Sequence, residues 1–184
     1  MKQNANILRI NSVSTLPAQT NKLLHKGSNK ESEQRVIIDK LRQNKAYLGK
    51  YYYLFLLMFY NGTRISETLN LDHDKITSAG HVYLVSSKGS ENRLIYAPEC
   101  EQFLLKARKK FTNPFFGCNR FTAYRMLRNL GIGIRKKGRK HDSVTHIFRN
   151  LHAANLRQIG LEGQQLSKIT GHKNPTNTDY YGKD

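Results

Sequence analysis

Apolar positions in this chain first recur with a helical period. In ESEQRVIIDKLRQNKA (31–46), Val36, Ile37 and Leu41 fall at helical spacing, which predicts an amphipathic helix. YLGKYYYLFLLMFYNG predicts a second, more apolar helix, with Gly62 as its C-cap. Thr63 then stands where it can cap RISETLNL, and Glu67 falls in the first turn, where the helix dipole favours an anion. The period next changes to alternation. HVYLVSS and NRLIYAP flank KGSE, which predicts a β-hairpin with Lys88 near its tip, and residues 74–77 are candidates for a third strand. Pro98 opens the helix PECEQFLLKARKK, and NRFTAYRMLRNLG is a further amphipathic helix. GIRKKGRKHD is a basic, glycine-broken loop. SVTHIFRNLHAANLRQIG is a helix with Ser143 as candidate N-cap, and EGQQLSKITG is a short helix closed by Gly171. Asn174 and Pro175 open a last segment, PTNTDYYG. Residues 1–30 are polar with no sustained period and are expected to be a flexible basic arm, leaving 31–184 as one folded domain. The expected class is α+β: mainly helical, with one small antiparallel sheet.

Charge changes this picture most. Of the 184 residues, 31 are Lys or Arg and 13 are Asp or Glu, a formal net charge of +18. Solubility needs far less, so a polyanionic partner is implied, either nucleic acid or an acidic membrane surface. YYYLFLLMF is well short of the roughly 18 apolar residues of a membrane span, and its tyrosines fit a buried helix. The N-terminus lacks the apolar centre of a signal peptide. Cys100 and Cys118 have neither CxxC spacing nor a nearby histidine pair, which argues against structural zinc or disulfides and fits a reducing, cytoplasmic setting. The acidic residues are scattered, without the carboxylate cluster that two-ion hydrolysis needs, so no metal or other cofactor is expected.

Taken singly, the candidate functional residues are ordinary. Arg64 is an arginine at a helix start. His146 and Arg149 share one helix face. Arg135, Lys136, Lys137, Arg139 and Lys140 form a basic run suited to phosphate contacts on double-stranded DNA. Lys88, His172, Tyr180 and Tyr181 complete the set. Taken in order, NGTRISETLNL, SSKGSENR, HIFRNLHAANL and TGHKNPTNTDYY resemble the tyrosine recombinase (phage integrase) family across residues 60–181. Lys88 lies 24 residues after Arg64, His172 lies 23 after Arg149, and Tyr181 lies nine after His172, all in keeping with the family pattern.

The resemblance implies a catalytic domain over 31–184. Arg64, Lys88, His146, Arg149 and His172 would surround a scissile phosphate, with Tyr181 as nucleophile and Tyr180 as its inert neighbour. The chemistry suits these residue types. Two guanidiniums can hold non-bridging oxygens bidentately, and Glu67 can steer one of them by an ion pair. A lysine can protonate a departing 5′-oxygen. The implied product is a covalent 3′-phosphotyrosine that can be resealed without metal or ATP, on DNA held by two or four copies of the chain. Three departures stand out. Only about 45 residues precede the catalytic region, too few for the family's N-terminal clamp domain. Asn150 and Leu151 follow Arg149, where the family often has a second histidine and a small residue. Only GKD follows Tyr181. A relaxing enzyme of topoisomerase IB type and a non-catalytic basic DNA-binding protein on the same fold remain alternatives.

Overall fold

The computed structural model describes residues 29–85, 92–133 and 145–171. Its centre is a helix that is apolar nearly all round. α1 (Asn29–Gln43) and the one-turn α2 (Lys45–Leu48) lead into α3 (Lys50–Asn61), with a break at Gly49, φ +53°, inside what periodicity reads as one helix. On α3, Tyr51, Tyr52 and the unbroken run Leu54–Met58 are buried. A helix apolar on every side must be covered on every side. α1, α4 (Ile65–Leu69) and α7 (His146–Gln158) supply much of that cover, and Phe148 of α7 meets Phe55 and Phe59 at ring separations of 6.0 and 6.3 Å. On α1 the buried stripe is Gln34, Ile37 and Leu41, at spacings of three and four. Val36 is 52% exposed, so it is not part of the core face as periodicity had it. Gln34 and Asn155 exchange amide hydrogen bonds and tie α1 to α7.

Gly62 closes α3 in the left-handed conformation, its N–H bonded to the carbonyl of Met58. The next cap differs from expectation. Arg64, not Thr63, is the N-cap of α4 (Ile65–Leu69). Thr63 turns inward and shares a hydrogen bond with the Thr68 hydroxyl at 2.8 Å. The hairpin is present: β1 (Val82–Leu84) pairs antiparallel with β2 (Arg93–Ile95), Tyr83 opposite Leu94. The third strand is reduced to one bridge from Ile76 to Val82, because residues 73–75 turn into a 3-10 helix. Pro98–Cys100 form a 3-10 turn before α5 (Glu101–Lys109), and Asn119 caps α6 (Arg120–Asn129) through its side chain. α7 (His146–Gln158) and α8 (Gly163–Thr170) finish the described fold, with Gly171 as a left-handed C-cap at φ +71°. The fold is α+β: eight α-helices and one two-stranded antiparallel sheet among the described residues. No helix among them is long and apolar enough to cross a membrane. The N-terminal arm through residue 28, Lys88, the basic run, Ser143, Asn174, Pro175, His172, Tyr180 and Tyr181 lie outside the described residues.

Candidate active site

The site is built where the C-terminal ends of α3 and α8 meet the start of α4 and the inner face of β2. Glu67 sits at its centre, its side chain 1% exposed. The backbone N–H of Arg64 donates to its Oε2 at 2.8 Å, reaching back across the first turn of α4. The Arg64 guanidinium donates to Oε1 at 2.7 Å, and Arg93, from β2, donates to Oε2 at 3.1 Å. Burial pushes the Glu67 carboxyl upward, but the Arg64 backbone bond and the two guanidiniums outweigh it and hold it below the ordinary carboxylate range. Glu67 is therefore ionised at neutral pH. It anchors the inner end of an Arg64 side chain that remains 34% exposed.

Arg149 lies deeper, only 2% exposed. One terminal nitrogen donates to the Gly62 carbonyl at 2.8 Å and the other to the Thr170 carbonyl. Each acceptor lies at a helix C-terminus, where carbonyls are left over and the dipole is negative, so a cation is stabilised there. Instead of projecting both nitrogens outward as a bidentate clamp, Arg149 joins the end of α3 to the end of α8. Gly62 stands two residues before Arg64, and Thr170 two before His172. His146 is the first residue of α7, half-buried and one turn before Arg149.

Two residues of this cluster escape sequence reasoning. His152 sits one turn beyond Arg149 on α7 and packs its ring on Gly62, where a Cβ would come within 2.8 Å of its Cδ2. Burial, helped by the charges of Arg149 and Arg93, pushes its imidazole down to about 4, so it is neutral at pH 7. Its Nε2 is buried without a hydrogen-bond partner among the described residues. The resemblance assigns no role to Arg93, the last residue of SSKGSENR. The signal available was alternation: Leu94 is exposed and Ile95 buried, which puts Arg93 on the inner face. The structure thus gathers Arg64, Glu67, Arg93, Arg149 and His152: two guanidiniums on one carboxylate and a third on the helix-end carbonyls, a surplus of positive charge suited to an anion. Among the described residues there is no group of three or more His, Cys, Asp or Glu placed to hold a metal ion.

No protein-family model matches the chain. Its fold is similar to the crystal structure of XerA recombinase, at TM-score 0.60 and 23% identity over 80% of this chain and 58% of that one. It is also similar to the Tn1549 transposon integrase, solved in complex with transposon right end DNA, at TM-score 0.55 and 17% identity over 85% of this chain and 61% of that one. Both likenesses are likenesses of fold. In sequence the chain is 26% identical over 143 residues to tyrosine recombinase XerD of Lacticaseibacillus casei, covering 70% of this chain and 48% of the relative. It is 25% identical over 138 residues to a tyrosine recombinase of Agathobacter rectalis, covering 68% and 44%. The chain spans about half the length of the curated relatives it matches. In sequence and in fold alike, the chain is similar to tyrosine recombinases.

Proposed function

We propose that this protein is a site-specific DNA recombinase or integrase of a bacterial, phage or plasmid setting. It cleaves and rejoins double-stranded DNA through a covalent 3′-phosphotyrosine, without metal or ATP, and self-associates on its sites. The observation that carries the reading is Arg64: a partly exposed guanidinium fixed by a buried, ionised Glu67, one short turn from the helix ends that Arg149 joins. Positive charge held rigidly at such a lip is pre-organised for the charge that develops on non-bridging oxygens during phosphoryl transfer.

In the proposed reaction the Tyr181 oxygen attacks phosphorus and forms the P–O bond while the bond to the 5′-oxygen breaks. The phenol proton leaves with help from a site histidine, His146 or His172. Lys88 protonates the departing 5′-oxygen. Arg64 holds a non-bridging oxygen, and Arg149 adds charge from behind the two helix ends. The ester keeps the bond energy, so an incoming 5′-hydroxyl reverses the step. Arg135, Lys136, Lys137, Arg139 and Lys140 contact the backbone of the duplex.

A nicked suicide duplex tests this. The chain should be trapped on it as an adduct that survives denaturant and forms equally well in EDTA. Tyr181→Phe should abolish the adduct and Tyr180→Phe should leave most of it. Arg64→Gln should slow cleavage by about 100-fold or more while changing duplex affinity far less. An adduct that persists in Tyr181→Phe would assign the wrong nucleophile, and inhibition by EDTA would end the metal-free mechanism. Exchange between a defined pair of sites separates a recombinase from a relaxing enzyme, which needs no such pair.

A further inference from the structure

Arg93 is the one buried cation of the cluster to which the resemblance assigns no role. Its side chain is 9% exposed. One terminal nitrogen donates to Glu67. Its Nε and other terminal nitrogen are buried with no acceptor among the described residues. That second nitrogen lies against Gly171, where any Cβ would come within 2.2 Å of it. For holding β2 to the core, an aliphatic side chain would serve with less desolvation. What an arginine adds is its bond to Glu67. Arg64 engages both carboxylate oxygens, Oε1 by its guanidinium and Oε2 by its backbone N–H, and Arg93 adds to Oε2 a second donor from a different element. A donor from β2 ties the carboxylate to an element outside α4, and Arg64 shares that tie through Glu67. On its far side Arg93 occupies the space that a side chain at Gly171 would fill, beside the residue that precedes His172.

We propose that Arg93 is a positioning residue of the strand-transfer reaction, sharing Glu67 with Arg64 on one side and seating the Gly171 turn on the other. This rests on the recombinase reading. It links three pieces of the site that are far apart in sequence: the strand leaving the Lys88 hairpin, the Arg64 cap, and the end of α8.

The test compares the full chain with Arg93→Met, Arg93→Lys, Glu67→Gln and the Glu67→Gln/Arg93→Met double variant. Thermal midpoint, affinity for nicked suicide duplexes of randomised sequence, and the rate of adduct formation are measured for each. Arg93→Met should unfold within about 3 °C of wild type, since the lost bond to Glu67 is offset by two donors no longer stranded. It should bind duplex within about threefold of wild type and form adduct at least about tenfold more slowly. Arg93→Lys keeps a charge at Glu67 and should recover most of that rate. In the Glu67→Gln background Arg93→Met should cost less than about a further threefold, because both act through one carboxylate. Three results overturn the proposal: a wild-type rate for Arg93→Met, a double variant whose losses multiply in full, or a midpoint drop of more than about 8 °C that accounts for the lost rate by unfolding. A wild-type chain that forms no adduct on any duplex overturns the recombinase reading and this proposal together. A wild-type adduct with an unaffected Arg93→Met overturns the proposal alone.

Discussion

His152 makes the cleanest residue-scale prediction, because burial and two neighbouring guanidiniums push it one way. Its imidazole is held down to about 4 in the fold, against about 6.5 for an unfolded histidine. Between these values the unfolded chain binds more protons than the folded one. Stability is therefore full above about pH 6.5 and is lost as pH falls toward 4, by up to about 3 kcal/mol from this residue. Urea unfolding at pH 7, 5.5 and 4.5 measures it, and His152→Gln should flatten the curve over that window. Protonation of Glu67 steepens the loss only at lower pH, since its carboxyl lies below the ordinary range. Gly62 is the partner test. Its φ of +57° and the 2.8 Å approach to His152 leave no room for a methyl group, so Gly62→Ala should cost about 2 kcal/mol in the same assay. Neither neighbour was legible in NLHAANL, because a helical period says which residues share a face, not what that face meets. Val36 failed for a related reason. In the run Val36–Ile37–Ile38 every position is apolar, and only the partner helices show that the stripe passes through Ile37.

Elements were legible where their signals are local. Gly62 and Gly171 ended helices because a left-handed C-cap favours glycine, and alternation around KGSE gave the hairpin. Signals that depend on a distant partner were not. Thr63 has the right chemistry for a cap, yet the Glu67 carboxylate reaches back to Arg64 instead, and Arg93 of β2 reinforces it. A second tie of this kind holds α3 to the turn before α5. Glu99 accepts the Tyr52 hydroxyl at 2.6 Å, the Tyr60 hydroxyl at 3.0 Å and the Arg42 guanidinium at 2.8 Å. Arg42 is half exposed, so its ion pair is worth well under 1 kcal/mol, and Arg42→Ala should barely move a urea midpoint. The part-buried tyrosine bonds carry more, and Glu99→Ala should cost about 1–3 kcal/mol. Tyr60, pushed up to about 12 by burial and then by Glu99, should titrate lower in that variant, though still above an exposed tyrosine because burial remains. Phenolate absorbance follows the titration.

At the scale of the molecule, motif order carried the fold, but convergence could not be read from order. Arg149 stands 87 residues from Gly62 in sequence and reaches its carbonyl, two residues before Arg64, only because α7 packs on the central α3. What the sequence does show directly is charge: a net +18 on one chain of 184 residues. If that surplus is spread along a duplex, binding releases counterions, and the logarithm of affinity falls linearly with the logarithm of salt concentration. Six to ten phosphate contacts would give a slope of about −5 to −9, and a loss of about 10³–10⁵ in affinity between 50 and 200 mM salt. The two groups of cations should then separate in one experiment. Replacing Lys136 and Lys137 by Gln should flatten the slope by about two units and weaken binding alike on every sequence. Arg64→Gln should leave the slope within about one unit of wild type, because one anchored guanidinium touches one phosphate, while the cleavage rate collapses. Fluorescence anisotropy across a salt series, run beside adduct formation on the same duplex, reads both. A Lys136/Lys137 variant that lost cleavage at unchanged slope, or an Arg64 variant that lost slope at unchanged cleavage, would assign anchoring and chemistry to the wrong residues.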